Sequence, residues 1–200
     1  MDLTDQQRDA LTEVLNIATA RTAAALSDLT GQRVVLDVPR VAIHPIAELT
    51  AALRTFVQGD IVTVHQIFSG PVAGDALLLL AHGAAVTLID LMTSENNRSK
   101  RLNESAREVL TEVGNILLNA CMGVFGDLLQ VRVSFAVPRL HLDELGGMLH
   151  SLIIGHEELQ YALLVHTTFR LRDSEVNGYL VIVLGVASLD HLLQAIERLG

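Results

Sequence analysis

Residues Leu11–Ala20 read LTEVLNIATA, and residues Leu110–Asn119 read LTEVGNILLN. Laying the two halves of the 200-residue chain together at an offset of 99 superposes Leu11, Thr12, Glu13, Val14, Asn16 and Ile17 on Leu110, Thr111, Glu112, Val113, Asn115 and Ile116. Val38, Pro39 and Arg40 likewise fall on Val137, Pro138 and Arg139, with 22 residues between Asn and Pro in both copies. Thr63–Phe68 (TVHQIF) then matches Leu164–Phe169 (LVHTTF) at an offset of 101. Matches at nearly constant spacing indicate an internal duplication. Residues 1–200 are therefore expected to form a single domain of two structural repeats, about 1–98 and 99–200.

The repeat organises the secondary structure. Each copy opens on a long helix. In the first, Thr4 with Gln7 three residues on writes a capping box, and Gly31 can close the helix after Leu29. The second is expected from Asn103 or Ser105 to near Gly126. Each helix precedes a β-branched run, RVVLDVPRVAI and QVRVSFAVPRL. Pro39 and Pro138 cannot donate to a ladder, so they belong at an edge or a bulge. Short helices are expected around Ala47–Arg54 and Asp143–Ser151. Strand pairs follow, Ile61–Gly70 with Pro71–Ala81 and Leu159–Leu171 with Glu175–Val186. Each copy closes on a helix, Ala84–Met92 and Ser188–Leu199. Strands joined by short connections pair antiparallel. The expected class is α+β: a pseudo-twofold domain whose antiparallel β-sheet is covered by helices, two of them long and motif-bearing.

A helix turns about 100° per residue. Asp9, Glu13 and Asn16 therefore share a polar stripe, opposite Leu11, Val14, Leu15, Ala18, Ala25 and Leu29. In the second helix Glu108, Glu112 and Asn115 oppose Val109, Leu110, Val113, Leu117, Cys121 and Leu128. Glu is an ordinary choice for a wet helix face. Asn costs about 0.5 kcal/mol or more relative to Ala. It nevertheless follows Glu by three residues in both copies, while the nearby Thr19 and Arg21 have become Leu118 and Ala120. Retention of the Glu–Asn pair beside such divergence marks it as the candidate site.

Composition narrows the function classes. Half the residues are hydrophobic and 4% aromatic, so an aliphatic core is expected. A net charge of −9, with NNRSKR (Asn96–Arg101) the one dense basic group, weighs against nucleic-acid binding. An acidic surface suits a partner with a basic rim. No unbroken apolar run reaches the ~20 residues that cross a bilayer. Gly178–Leu189 is short and β-branched and reads as a buried strand, so no membrane insertion is expected. The polar start MDLTDQQRDA lacks a secretory pattern, and the single Cys121 suits a reducing cytoplasm. The eight His residues show neither His-x-His nor His-Glu-x-x-His spacing, so no metal site is expected. SGPVAGD (Ser69–Asp75) lacks a Walker lysine and reads as a hairpin turn.

The doubled pattern Asp/Ser-x3-Glu-x2-Asn-x22-Pro resembles the CheC–CheX–FliY family of bacterial chemotaxis phosphatases, over the whole chain. The first copy fits at Asp9, Glu13, Asn16 and Pro39. The second fits at Glu112, Asn115 and Pro138, with Glu108 where Asp or Ser is usual. The family's Gly before Asn is kept as Gly114 and replaced by Leu15. Two motifs in a chain of this length are CheC-like. The resemblance implies catalytic Glu13, Asn16, Glu112 and Asn115, supported by Asp9, Glu108, Pro39 and Pro138. It implies as substrate the aspartyl phosphate of a CheY-like receiver domain (a response regulator of two-component signalling), with Asn orienting the attacking water and Glu docking the partner. No cofactor is expected on this chain; Mg²⁺ is expected in the receiver. The competing class is a non-enzymatic interaction module that binds CheD or a receiver domain. A small-molecule hydrolase would need a deep pocket beside the long helices.

Overall fold

In the computed structural model, Thr4 starts the first helix as the capping box requires. Its Oγ1 accepts from the Gln7 amide at 3.2 Å, and Gln7 Oε1 accepts from the Thr4 amide at 3.0 Å. The structure describes residues 3–55, 57, 59–93, 102–144, 159–171 and 174–198. In chain order the elements are α1 (Asp5–Thr30), β1 (Val34–Leu36), β2 (Arg40–Pro45), α2 (Ile46–Arg54), β3 (Asp60–Ser69), β4 (Gly74–Ala81) and α3 (His82–Thr93). There follow α4 (Glu104–Leu129), β5 (Ser134–Phe135), β6 (Arg139–Glu144), β7 (Leu159–Leu171), β8 (Ser174–Gly185) and α5 (Val186–Glu197).

The strands form one antiparallel sheet in the order β1-β7-β8-β4-β3-β5, with β2 also on β7 and β6 also on β3. The fold class is α+β. The order reads the same from either edge, and the centre is the pair β4–β8, where Leu78 faces Leu180. The long hairpins β3–β4 and β7–β8 lie where expected. The shorter strands do something the sequence did not announce: β1 and β2 pair with β7, and β5 and β6 pair with β3. Each half thus lends its edge strands to the other half's hairpin.

The prolines interrupt both edges at matching places. Leu36 faces Phe169 and Arg40 faces His166, so residues 37–39 oppose two residues of β7. Phe135 faces Phe68 and Arg139 faces His65, so residues 136–138 oppose two of β3. Each is a bulge of one extra residue, a place where a missing N–H does no harm. Asp37 N donates to Thr168 O at 3.1 Å, and Ala136 N donates to Ile67 O at 2.9 Å.

Helices α1, α3, α4 and α5 cover one face of the sheet, where Leu11, Leu15, Leu110, Leu117, Leu189 and Leu193 pack on Val64, Leu78, Val165, Leu180 and Ile182. Helix α2 covers part of the other, with Leu49 and Leu53 on Leu77, Val181 and Val183. Burial on both faces explains why β4 and β8 read as continuous apolar runs.

Four expectations need correction. Helix α4 runs past Gly126 because that glycine serves close approach, not termination: it is buried, and Val131 N donates to its carbonyl at 3.0 Å. The left-handed cap is Gln130, at φ 53°. Leu29 is 55% exposed, and the buried line at that end of α1 is Thr22 and Leu26. Asp143 and Glu144, expected to open a short helix, continue β6 opposite Ile61 and Asp60; residues 145–151 of that segment, and Asn96–Arg101, lie outside the described residues. Finally, α4 is long and apolar enough to cross a membrane by composition, because its few charges are spaced along it. More than half of that window is buried in the fold, so its apolar face is occupied by the core.

Candidate active sites on the two long helices

The second motif is set by how closely α4 meets the sheet. Gly114 is buried, and a Cβ built there would lie 2.5 Å from Val64 Cγ1 and 2.7 Å from Val64 Cβ. A hydrogen in place of a side chain lets the helix rest on β3. Asn115 follows at the margin of that contact and is half-buried. Glu112 and Glu108, on the preceding turns, are exposed. Gln66, two residues beyond Val64 on the same face of β3, is only 2% exposed and reaches the motif. Its Nε2 donates to Asn115 Oδ1 at 3.3 Å and to the Ala136 carbonyl of the bulge at 3.0 Å. Asn119 Nδ2 donates to Asn115 Oδ1 at 2.8 Å from one helical turn on. Pro138 is half-buried beside the bulge, and Val137 is 85% exposed.

The first motif has the same plan with different attachments. Asp9 and Glu13 are exposed and Asn16 is half-buried. Leu15, fully buried, stands in the place of Gly114, a bulky side chain where the second copy has a hydrogen. Thr167 stands in the place of Gln66. Its Oγ1 donates to the Asp37 carbonyl at 3.2 Å, which repeats the bulge contact. Ala20 stands in the place of Asn119. Among the described residues nothing hydrogen-bonds the Asn16 side chain. Pro39 is buried, Val38 is 68% exposed, and Ile17 beside Asn16 is 44% exposed. Arg21 reaches across to α4, its guanidinium 2.9 Å from Asp127 Oδ2, an exposed pair worth about 0–1 kcal/mol.

The structure thus places all four motif residues at the surface of the long helices. No ion pair within the described residues engages Glu13, Glu112, Asp9 or Glu108, and all four are exposed. Sequence reasoning missed Gln66 and Asn119. The signal was present as mismatches in the aligned copies, Gln66 against Thr167 and Asn119 against Ala20.

Other chemistry-bearing groups lie apart. His65 Nε2 is 2.5 Å from Asp75 Oδ1, and the rings of His65 and His141 are 6.1 Å apart. His166 stacks on Tyr179 at 4.7 Å. The described residues hold no group of three or more side chains able to share a metal ion. Cys121 is buried as its helix face implies, and burial pushes its thiol up to about 12. A cleft of about 460 Å³ is lined by Pro71, Leu128, Val131, His191 and Arg198. Another of about 430 Å³ is lined by Arg40, His44, Leu164, His166 and Tyr179. Neither includes a motif residue.

No family model matches the chain. It is 23% identical over 201 residues to the CheY-P phosphatase CheC of Bacillus subtilis (strain 168), covering 96% of this chain and 94% of that one. It is 24% identical over 143 residues to the flagellar motor switch phosphatase FliY of the same organism; the match covers 70% of this chain and 37% of FliY. Among solved structures, Thermotoga maritima FliY superposes with a TM-score of 0.79 at 17% identity, covering 99% of each chain. A FliG–FliM complex from H. pylori gives 0.65 at 10% identity, covering 96% and 100%. The chemotaxis protein CheX of Desulfovibrio desulfuricans gives 0.51 at 10% identity, covering 85% and 99%. The chain is thus similar in sequence to the curated relatives CheC and FliY, and it shares its fold with FliY and CheX.

Proposed function

We propose that this chain is a phosphatase that hydrolyses the aspartyl phosphate of a CheY-like receiver domain in chemotaxis or two-component signalling. The observation that carries the proposal is the pair of surface sites: an exposed Glu and a half-exposed Asn on each long helix, outside either cleft. An unenclosed helix face suits a substrate that is itself folded, because the receiver brings its own pocket with the phosphoryl group. Similarity to CheC along nearly the whole chain supports the same conclusion.

Phosphoryl transfer needs positioning and charge stabilisation more than covalent help. A water must lie in line with the leaving carboxylate oxygen. The carboxamide of Asn16 or Asn115 can hydrogen-bond that water without repelling the anionic phosphoryl group, which a carboxylate would do. Glu13 or Glu112, one turn before, would pair with a cation of the receiver and fix the docking. The helix holds both at fixed separation, so an i, i+3 pair suffices. Asp9 and Glu108 extend the acidic stripe, and Pro39 and Pro138 terminate pairing at the bulges beside it. The Mg²⁺ of the reaction would belong to the receiver.

A second reading, a binding module for a receiver or CheD, is favoured by the fold shared with FliM, one of whose structures is a complex with FliG. Turnover separates the two. Phosphorylated receiver is mixed with a hundredth of its concentration of this protein, and phosphoryl loss is followed. A catalyst clears the whole pool faster than the receiver alone. A module that only binds leaves the decay of the bulk unchanged.

A further inference from the structure

The two sites are not equivalent, and the difference lies in what holds each carboxamide. Asn115 Oδ1 accepts from Gln66 at 3.3 Å and from Asn119 at 2.8 Å. The orientation of this set is fixed from below. The Ala136 carbonyl accepts at 3.0 Å, so Gln66 must point its –NH₂ that way, and the same –NH₂ meets Asn115. Asn115 therefore turns its carbonyl inward, where both acceptor lone pairs are used. Its Nδ2 remains for whatever arrives outside. An N–H there can hold a water by one lone pair and leave the other for attack.

The set carries a cost. Gln66 Oε1 and Asn119 Oδ1 are buried without a hydrogen-bond partner among the described residues. A half-satisfied buried network is worse for stability than an apolar one, and such arrangements concentrate at functional sites. The first copy avoids that cost with Thr167 and Ala20, and it has Leu15 where the second has Gly114.

We infer that Gln66 and Asn119 are positioning residues that pre-orient Asn115, and that the second site consequently carries most of the turnover. The kinetic half of this statement rests on the phosphatase reading above; the ordering of Asn115 does not. A side chain frozen before the partner docks spends no rotamer entropy at the moment of reaction.

Three measurements test it. In an Asn16→Ala background, where only the second site can act, the Gln66→Thr, Asn119→Ala pair imports the residues of the first copy. Its kcat should fall about tenfold with KM little changed, while Tm stays level or rises. Unchanged kcat overturns the inference. Should that pair fail to fold, Asn119→Ala alone replaces a helical Asn with a better helix former and should still lower kcat severalfold; a kcat at the parent's level again overturns it. Next, a second-site-only protein (Asn16→Ala) should exceed a first-site-only protein (Asn115→Ala) in kcat by about fivefold or more; equality or reversal overturns the dominance. Last, side-chain amide NMR on the free protein should show Asn115 rigid and Asn16 mobile. Equal mobility overturns the ordering. If the parent shows no phosphatase activity at all, the proposed function falls, and this spectrum alone decides whether Asn115 is held.

Discussion

Gly114→Ala is the substitution whose outcome the contact between α4 and β3 fixes most sharply. The added Cβ would lie 2.5, 2.7 and 2.9 Å from Val64 Cγ1, Cβ and Cγ2. Carbon atoms in ordinary contact sit about 3.5–4.0 Å apart, so helix or strand must yield by about 1 Å. Val64 has little room: it is 1% exposed, with β4 on one side and β6 on the other. Overpacking of this kind costs roughly 1–3 kcal/mol, and a clash this deep belongs in the upper half. Against it stands the better helix propensity of Ala, about 1 kcal/mol. The clash wins, leaving a net loss of about 1–2 kcal/mol. Urea unfolding should show a lower midpoint with unchanged m, and Tm should drop by roughly 2–4 °C per kcal/mol. Val64→Ala should relieve part of the penalty, giving a coupling of about 0.5 kcal/mol or more in a double-mutant cycle. Because the Gln66–Asn115 bond is already long at 3.3 Å, lifting α4 should also lower turnover at the second site. A Gly114→Ala protein that gains about 1 kcal/mol, as propensity alone would give, would refute the close seating of α4.

Other perturbations follow from the same structure. Gln130 holds φ 53° at the end of α4, so Gln130→Gly should stabilise by roughly 0.5–1 kcal/mol in thermal unfolding. Cys121, its thiol raised by burial from 9.0 to about 12, should resist a thiol reagent at pH 8 until denaturant is added; prompt labelling of the native protein would contradict its placement. Because the folded pKa is the higher one, this thiol favours the native state below pH 9, and that contribution is lost as pH rises from 9 towards 12. Glu112→Gln should raise KM for a phosphorylated receiver severalfold and reduce its salt dependence; an unaltered KM would remove Glu112 from docking. Arg21→Ala should change stability by less than about 1 kcal/mol, since both partners of its pair are more than half exposed.

Much of the fold was legible because it is local. The Thr4–Gln7 box, the positions of the long hairpins and the bulges at Pro39 and Pro138 each rest on side chains close in sequence to the backbone they direct. The exchange of edge strands was not legible. The repeat says that β2 and β6 are alike but not which hairpin each one joins, and a strand's partner is a property of the closed sheet. Gly126 misled because glycine serves two needs, a left-handed cap and close approach, and here Val131 decides. Leu29 keeps helical phase with the core yet extends beyond what the core can cover. At the site, periodicity alone brought Glu13, Asn16, Glu112 and Asn115 to the surface. Gln66 escaped notice because it lies 49 residues before Asn115 and meets it through a strand whose sequence reads as core.

Asn16 and Asn115 together carry the proposed hydrolysis. The most direct measurement is the decay of a phosphorylated receiver domain in the presence of an Asn16→Ala, Asn115→Ala protein, with circular dichroism to verify the fold and titration to verify receiver binding. The expected result is a folded protein that still binds and leaves the receiver to lose its phosphoryl group at its own unaided rate. Decay as fast as with the unaltered protein would contradict it.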